Sequence, residues 1–295
     1  MSTSVEALAP EAPPIPADVQ PPRRPGRVRP ASVLFWAAIV FYVVNLLGLI
    51  GSVLVNSLGT AWFGTLLPEA FTTRWYQFAA NEHNLPELLQ ITLIVALSVT
   101  LLALLLGIPA AYALARRQFR GKGLLLGLFL LPMLVPPMTY GIPMATLLYR
   151  LGLGGSLAGV ILANLVPVLP FAILILMPFI EQIDQSLESA ARMLGAGRLQ
   201  VFTRVLLPLL IPGALTAGIL AVVRTVAMFE LTFLLAGPHS QTLIVALYYD
   251  AFAAGTRPTQ AIDAMAVLYM ATTLVLLVIA LRFISPTQMV YRPRA

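Results

Sequence analysis

Few residues in this sequence are placed to do bond-making chemistry. There are two histidines, His83 and His239, and no cysteine. The histidines fall far apart in segments expected to be loops, so neither a thiolate site nor a paired imidazole metal centre is expected. Ser156 lies in Gly154-Gly-Ser156-Leu-Ala158, which misses the G-x-S-x-G nucleophile turn at its last position. With no histidine near it, no nucleophile–base pair forms, and an intramembrane hydrolase is discounted. Lys122 is the sole lysine; Arg116 stands where the first glycine of G-x-x-x-x-G-K-[ST] belongs, so this chain holds no nucleotide by a phosphate loop. The expectation is a chain that is not an enzyme and carries no cofactor of its own.

The other chemically informative residues are polar groups set in apolar surroundings. Arg224 and Glu230 lie six positions apart in one long apolar run. Charges in such runs are costly and mark functional sites by default. The competing reading is that each pairs with a neighbouring helix or reaches an interface, Glu230 near the outer end above all. Tyr140 and Asn164 are weaker candidates of the same kind. Asn45 reads as a helix–helix hydrogen bond, and Asp263, which opens the sixth span, as either a further candidate or a first-turn charge.

These residues need a scaffold, and composition says which solvent surrounds it. The 295 residues are 59% hydrophobic and 10% charged, with a mean hydropathy of +0.89. A soluble domain carries about 25% charged residues, so a lipid bilayer is the solvent that fits. The net charge of +6 sits in short basic clusters between apolar runs, a topological signature rather than a nucleic-acid surface. The fold class expected is all-α, polytopic, with about six transmembrane helices at roughly 32–55, 88–115, 123–149, 157–180, 208–236 and 261–283.

Residues 1–30 hold eight prolines and read as a disordered cytoplasmic tail, with residues 31–284 as the membrane domain and 285–295 as a second cytoplasmic tail. Basic residues set the orientation. Placing the N-terminus inside puts fourteen of them in cytoplasmic segments (the clusters at 23–29, 116–122, 192–204 and 282–294) against Arg74, Arg150 and Arg257 outside. The positive-inside rule therefore makes both termini cytoplasmic. The first outer loop, 56–87, has aromatics suited to interfacial anchoring. The loop 237–260 has an apolar centre, Leu243 to Leu247, too short to span; it either dips inward or lies along the surface. Prolines from Pro132 to Pro178 read as kinks, and Gly155-x-x-x-Gly159 as a weak packing signal.

The loop between the fourth and fifth spans, about 181–207, has a different character. Leu187, Ala190, Ala191 and Leu194 recur at helical spacing, Asp184 or Ser186 can cap the start, and Gly195 can end it. This predicts a short amphipathic helix outside the bilayer. Its alanine pair suits close approach of another protein, and Glu188 on its flank disfavours anionic lipid.

The stretch Glu188-Ser-Ala190-Ala191, with Gly195 four residues on and then Leu207-Pro208, resembles the EAA motif of ATP-binding-cassette (ABC) importer permeases. Ala110-Ala-Tyr-Ala-Leu-Ala-Arg-Arg and Pro132-Met-Leu-Val-Pro136-Pro137 look like type I members of that group, and the likeness covers about residues 88–284. Ser189 stands where the family usually has its glutamate, leaving Glu188 one position early, and Gly197 replaces a frequent serine.

The resemblance implies a permease subunit in a bacterial inner membrane, forming half of a translocation path. Glu188, Ala190, Ala191, Gly195 and Pro208 would belong to the loop that docks on a separate cytoplasmic ATPase, which binds the ATP. A second permease subunit, identical or paralogous, and an extracytoplasmic solute-binding protein are the other implied partners. Arg224, Glu230, Tyr140 and Asn164 are the path candidates. The segment from Arg224 to Pro238 looks closest to the polyamine, opine and ferric-iron branch, with lower similarity to sulfate or molybdate subunits. The rival reading is a secondary transporter or channel that is not driven by ATP, which would need no docking helix.

Overall fold

The computed structural model describes residues 30–62, 68–252 and 257–282, and every named element among them is helical. The expectations for most of the N-terminal tail and for the C-terminal tail lie outside these residues. By internal contacts the chain divides into Met1–Leu49 and Ile50–Ala295. The described part of the first unit is the opening of α1 (Pro30–Leu58). There Asn45 donates to Phe41 O of its own helix at 3.1 Å, not to a second helix.

The second unit is built on α3 (Leu85–Arg116), α6 (Leu157–Gln182) and α9 (Leu207–Val226), which pack most extensively on one another. Their contacts use small residues. A Cβ at Gly107 of α3 would stand 3.6 and 3.7 Å from Ile173 and Ala172 of α6, while Ala103, Ala111, Ala163, Ala217 and Ala221 are fully buried. Lipid tails are as apolar as leucine, so close van der Waals contact between backbones, rather than escape from solvent, holds such helices together.

Five described helices are long and apolar enough to cross a membrane, or six when one bent pair counts as a span. That pair is the expected third span. It arrives as α4 (Lys122–Leu134) and α5 (Pro137–Arg150), bent by 95°. The cause is the Pro136-Pro137 pair: a proline disfavours helical backbone in the residue before it, and Val135 and Pro136 take extended ψ values of 133°. Isolated prolines within α3, α6 and α9 leave their helices intact.

The expected fifth span is also interrupted. It starts with α8 (Arg198–Gln200) and a π-helical segment, Val201–Leu206, and runs on as α9 to Val226. Pro208 lacks the N–H that would bond Arg204 O, and the widened turn before it accommodates the missing bond. After a break comes the short α10 (Glu230–Leu235). The apolar centre of the following loop forms α11 (Leu243–Phe252), whose Leu243 and Ala246 are buried. It packs on α3 and on α12 (Thr259–Arg282), not only along a surface.

Candidate functional site

The short amphipathic helix is α7 (Gln185–Met193). Asp184 caps it, accepting from the Ser186 backbone N–H at 2.8 Å. Its other end closes in a Schellman arrangement: Gly195 N–H bonds Arg192 O at 3.0 Å and Ala196 N–H bonds Ala191 O at 3.0 Å. That geometry needs a left-handed residue, and Gly195 supplies it at φ +87°. Gly197 precedes α8, and its N–H bonds Gln200 Oε1 at 2.9 Å.

Glu188 does not lie on an open flank. It is buried, and it ties α7 to the end of α3. Tyr112 Oη donates to Glu188 Oε2 at 2.7 Å, and Arg116 Nε donates to Oε1 at 2.8 Å. Arg116 Nη2 also bonds Ile183 O at 2.7 Å, so one guanidinium holds both the helix and the strand of chain leading into it. With both side chains under a tenth exposed, this pair is shielded from the screening that weakens surface ion pairs. The sequence reading missed Tyr112 and Arg116. Their signal was present: they sit four apart in the Ala110–Arg117 segment, on one face of α3.

The opposite side of α7 is left open. Leu187, Met193 and Leu194 are exposed, the last two by 83% and 89%. Ser189 bonds its own helix, to Gln185 O at 3.1 Å. Ala190 is exposed and Ala191 half-buried. Beside them runs a polar groove of about 530 Å³ lined by Arg116, Arg117, Arg192, Arg198 and Glu188. The arrangement is a rigidly mounted apolar ridge next to a basic groove.

The path candidates come from the middle of the bundle. Arg224, in the last turn of α9, places its guanidinium over the Phe171 ring of α6 at 4.9 Å. Tyr140, on α5, lies within electrostatic reach of both Arg224 and Glu230. Glu230 opens α10, beyond the break in the helix that carries Arg224. Asn164 is fully buried at a contact between α6 and α10; its Nδ2 bonds Val160 O at 2.9 Å and Thr232 Oγ1 at 3.0 Å. Tyr140 thus feels the charges of both Arg224 and Glu230, and Asn164 joins two helices.

At the far end of α3, about 48 Å from Arg116 at 1.5 Å per residue, sits an ionic cluster not anticipated as a unit. Asp250 is buried and pairs with His83 Nε2 at 2.8 Å and Arg257 Nη1 at 2.9 Å, while Arg257 Nη2 meets Glu82 at 3.2 Å. It ties α11 to the α2 (Arg74–Glu82)–α3 junction and to the segment before α12. Asp263, read as a further candidate or a first-turn charge, accepts from Asn56 Nδ2 at 2.6 Å and links α12 to the end of α1. Among the described residues no group of three or more metal-ligating side chains occurs.

Residues 103–289 match the family described as binding-protein-dependent transport system inner membrane component. The chain belongs to that family. It is an ABC importer permease, a multi-pass inner-membrane protein and not an enzyme. Among similar proteins, the permease is 34% identical over 190 residues to the trehalose transport system permease SugB of Mycobacterium tuberculosis, covering 63% of this chain and 69% of that one. It is 35% identical over 164 residues to a probable molybdenum ABC transporter permease of Haloferax volcanii, covering 53% of this chain and 61% of that one, under two thirds of its length. It is 25% identical to the spermidine/putrescine permease PotC of Escherichia coli, over 76% of this chain and 84% of that one. The fold is that of a bacterial alginate ABC importer chain, with a TM-score of 0.71 and 18% identity over 86% of this chain and 96% of that one.

Proposed function

We propose that the permease forms half of a translocation path for a small polar solute and is driven by a separate ATPase that seats on α7. The observation that carries this is the mounting of α7. One face is clamped to α3 through Glu188, and the other presents Leu187, Met193 and Leu194 unpartnered. A helix that must transmit motion needs both features: a stiff link to a membrane-crossing helix and an open surface for the moving partner. ATP binding biases the balance between inward- and outward-open states through that link.

The similar proteins support the partner set. One solved relative is an alginate ABC transporter in complex with a substrate-bound periplasmic protein, and another is a methionine ABC transporter seen in inward-facing conformations. By analogy this permease works with a second permease subunit, identical or paralogous, cytoplasmic ATPase subunits and an extracytoplasmic solute-binding protein. The α7 end and both termini then face the cytoplasm, as the basic asymmetry requires. The named relatives handle molybdenum, trehalose and spermidine or putrescine, so the solute is described by class: a small polar compound such as a polyamine, an opine-like compound or chelated ferric iron. Reconstituting the complex in proteoliposomes tests the reading. Uptake should require internal ATP and the ATPase subunit; uptake driven by an ion gradient without them contradicts it.

A further inference from the structure

The neighbourhood of Arg224 contains buried polar atoms that no described residue satisfies. Arg224 Nε and Tyr140 Oη are both buried without a hydrogen-bond partner among the described residues. No carboxylate pairs with Arg224 among those residues; its guanidinium lies over the face of Phe171. Buried polar groups are almost always bonded, so each orphan requires an explanation. For a guanidinium in an apolar span the demand is stronger, because an unpaired charge there is costly.

Packing alone does not explain the orphans. Asn164, in the same bundle, bonds Val160 O and Thr232 Oγ1 through Nδ2 but leaves Oδ1 unpartnered, as Thr100 and Thr242 leave their hydroxyls; those are neutral groups, whereas Arg224 carries a full charge. Arg224 on α9 and Tyr140 on α5 lie within electrostatic reach of each other as two donors, on residues that remain partly exposed. Charged side chains within spans face the bundle interior or a watery cavity rather than lipid. A cation and a hydroxyl donor presented together in such a place match an acceptor with delocalised negative charge. Glu230, whose charge also reaches Tyr140, keeps the region's net charge near zero, which suits one acid group better than a polyanion.

We infer that Arg224 and Tyr140 form a binding point for a carboxylate or similar singly charged oxyanion group on the translocated solute. This rests on the reading of the chain as a translocation subunit and narrows its solute class: the cargo bears an acid group, and a purely cationic polyamine is disfavoured. Phe171 positions the guanidinium and shields it while the site is empty. Glu230 limits the negative charge that enters with the solute.

The test uses the full-length chain in lipid nanodiscs, with its thermal midpoint followed as lactate, N-acetylglycine or spermidine is titrated. The acids should raise the midpoint and spermidine should not. Arg224→Gln should weaken the apparent affinity for both acids at least about tenfold, the loss of a hydrogen bond to a charged group. Tyr140→Phe removes only a hydroxyl, and should weaken it several-fold if the Arg224 variant proves too unstable to measure. The inference is overturned if the acids leave the midpoint unchanged, if spermidine raises it, or if both variants bind the acids as the parent does. It is also overturned if Arg224→Gln splits the permease pair with no acid binding in the parent, since an acid on the second subunit then satisfies Arg224. None of these outcomes involves α7, so the ATP-coupling reading stands or falls separately on the proteoliposome experiment.

Discussion

Arg116 and Glu188, 72 positions apart in sequence, meet at 2.8 Å and make α7 an extension of α3. Force applied to the short helix therefore reaches a 32-residue membrane-crossing helix through a buried ion pair rather than through a flexible loop. Glu188 is in this sense a positioning residue: it fixes α7 from behind and leaves the exposed face of Leu187, Met193 and Leu194 to other contacts.

Breaking that pair from either side should be costly, because the survivor stays charged and buried with only weaker partners: Arg192 Nη2 at 3.5 Å and Tyr112 for Glu188, and Ile183 O for Arg116. Glu188→Ala or Arg116→Ala is expected to destabilise the α7–α3 junction by about 3–5 kcal/mol. The double variant should cost less than the sum of the two singles. A double-mutant cycle on thermal midpoints, combined with ATPase stimulation in the assembled complex, measures this. Strict additivity would mean that the pair carries no coupling energy.

Gly195→Ala is expected to loosen the end of α7 by about 1–2 kcal/mol, the cost of placing an L-residue in the left-handed region. A Cβ there meets nothing within 4 Å, so the penalty is conformational and not steric. Gly195→Asn should recover part of it. Hydrogen exchange at Leu194, Gly195 and Ala196 reads the effect directly.

The cap of α7 should respond to acid. Bonds from the Ser186 backbone N–H, and then from its hydroxyl, hold the Asp184 carboxyl below its ordinary pKa. A carboxyl lowered in the folded state contributes stability that is present above its unfolded pKa and is lost as pH falls through the lower folded value. Exchange protection at the start of α7 should therefore hold at pH 5 and decline below about pH 4. Asp184→Asn, which still caps but does not titrate in this range, should flatten that decline.

At the other end of the molecule, Asp250→Asn removes the charge that both His83 and Arg257 face. The expected cost is about 2–3 kcal/mol in thermal stability, with solute-independent ATP hydrolysis little changed. An unchanged midpoint would show that the cluster does not hold α11 in place.

Much of this was legible in the sequence, for physical reasons. Apolar runs of about 20 residues read directly as membrane helices, and the spacing of Leu187, Ala190, Ala191 and Leu194, with Asp184 or Ser186 to start and Gly195 to end, placed α7 to within a residue or two. The 95° turn between α4 and α5 was not read, because a lone proline bends a membrane helix while two in a row end it. The Glu188 clamp was only half legible: Tyr112 and Arg116 stand four apart on one face of α3, but their pairing with Glu188, 76 and 72 positions on, leaves no local pattern. The same holds for Asp250, whose partners lie 167 residues back and just beyond its own helix. Periodicity shows which face of a helix is apolar, and it is silent on which polar group is drawn inward to a distant partner.

The central claim is that the open face of α7 receives the ATPase, and one measurement meets it directly. Met193 and Leu194 are almost fully exposed, so Met193→Glu with Leu194→Glu should leave the fold and thermal midpoint of the permease intact. Co-purification of the ATPase subunit with this variant, and ATP-dependent uptake in proteoliposomes, should both fall at least about tenfold. A variant that still binds the ATPase and transports at the parental rate would contradict the account.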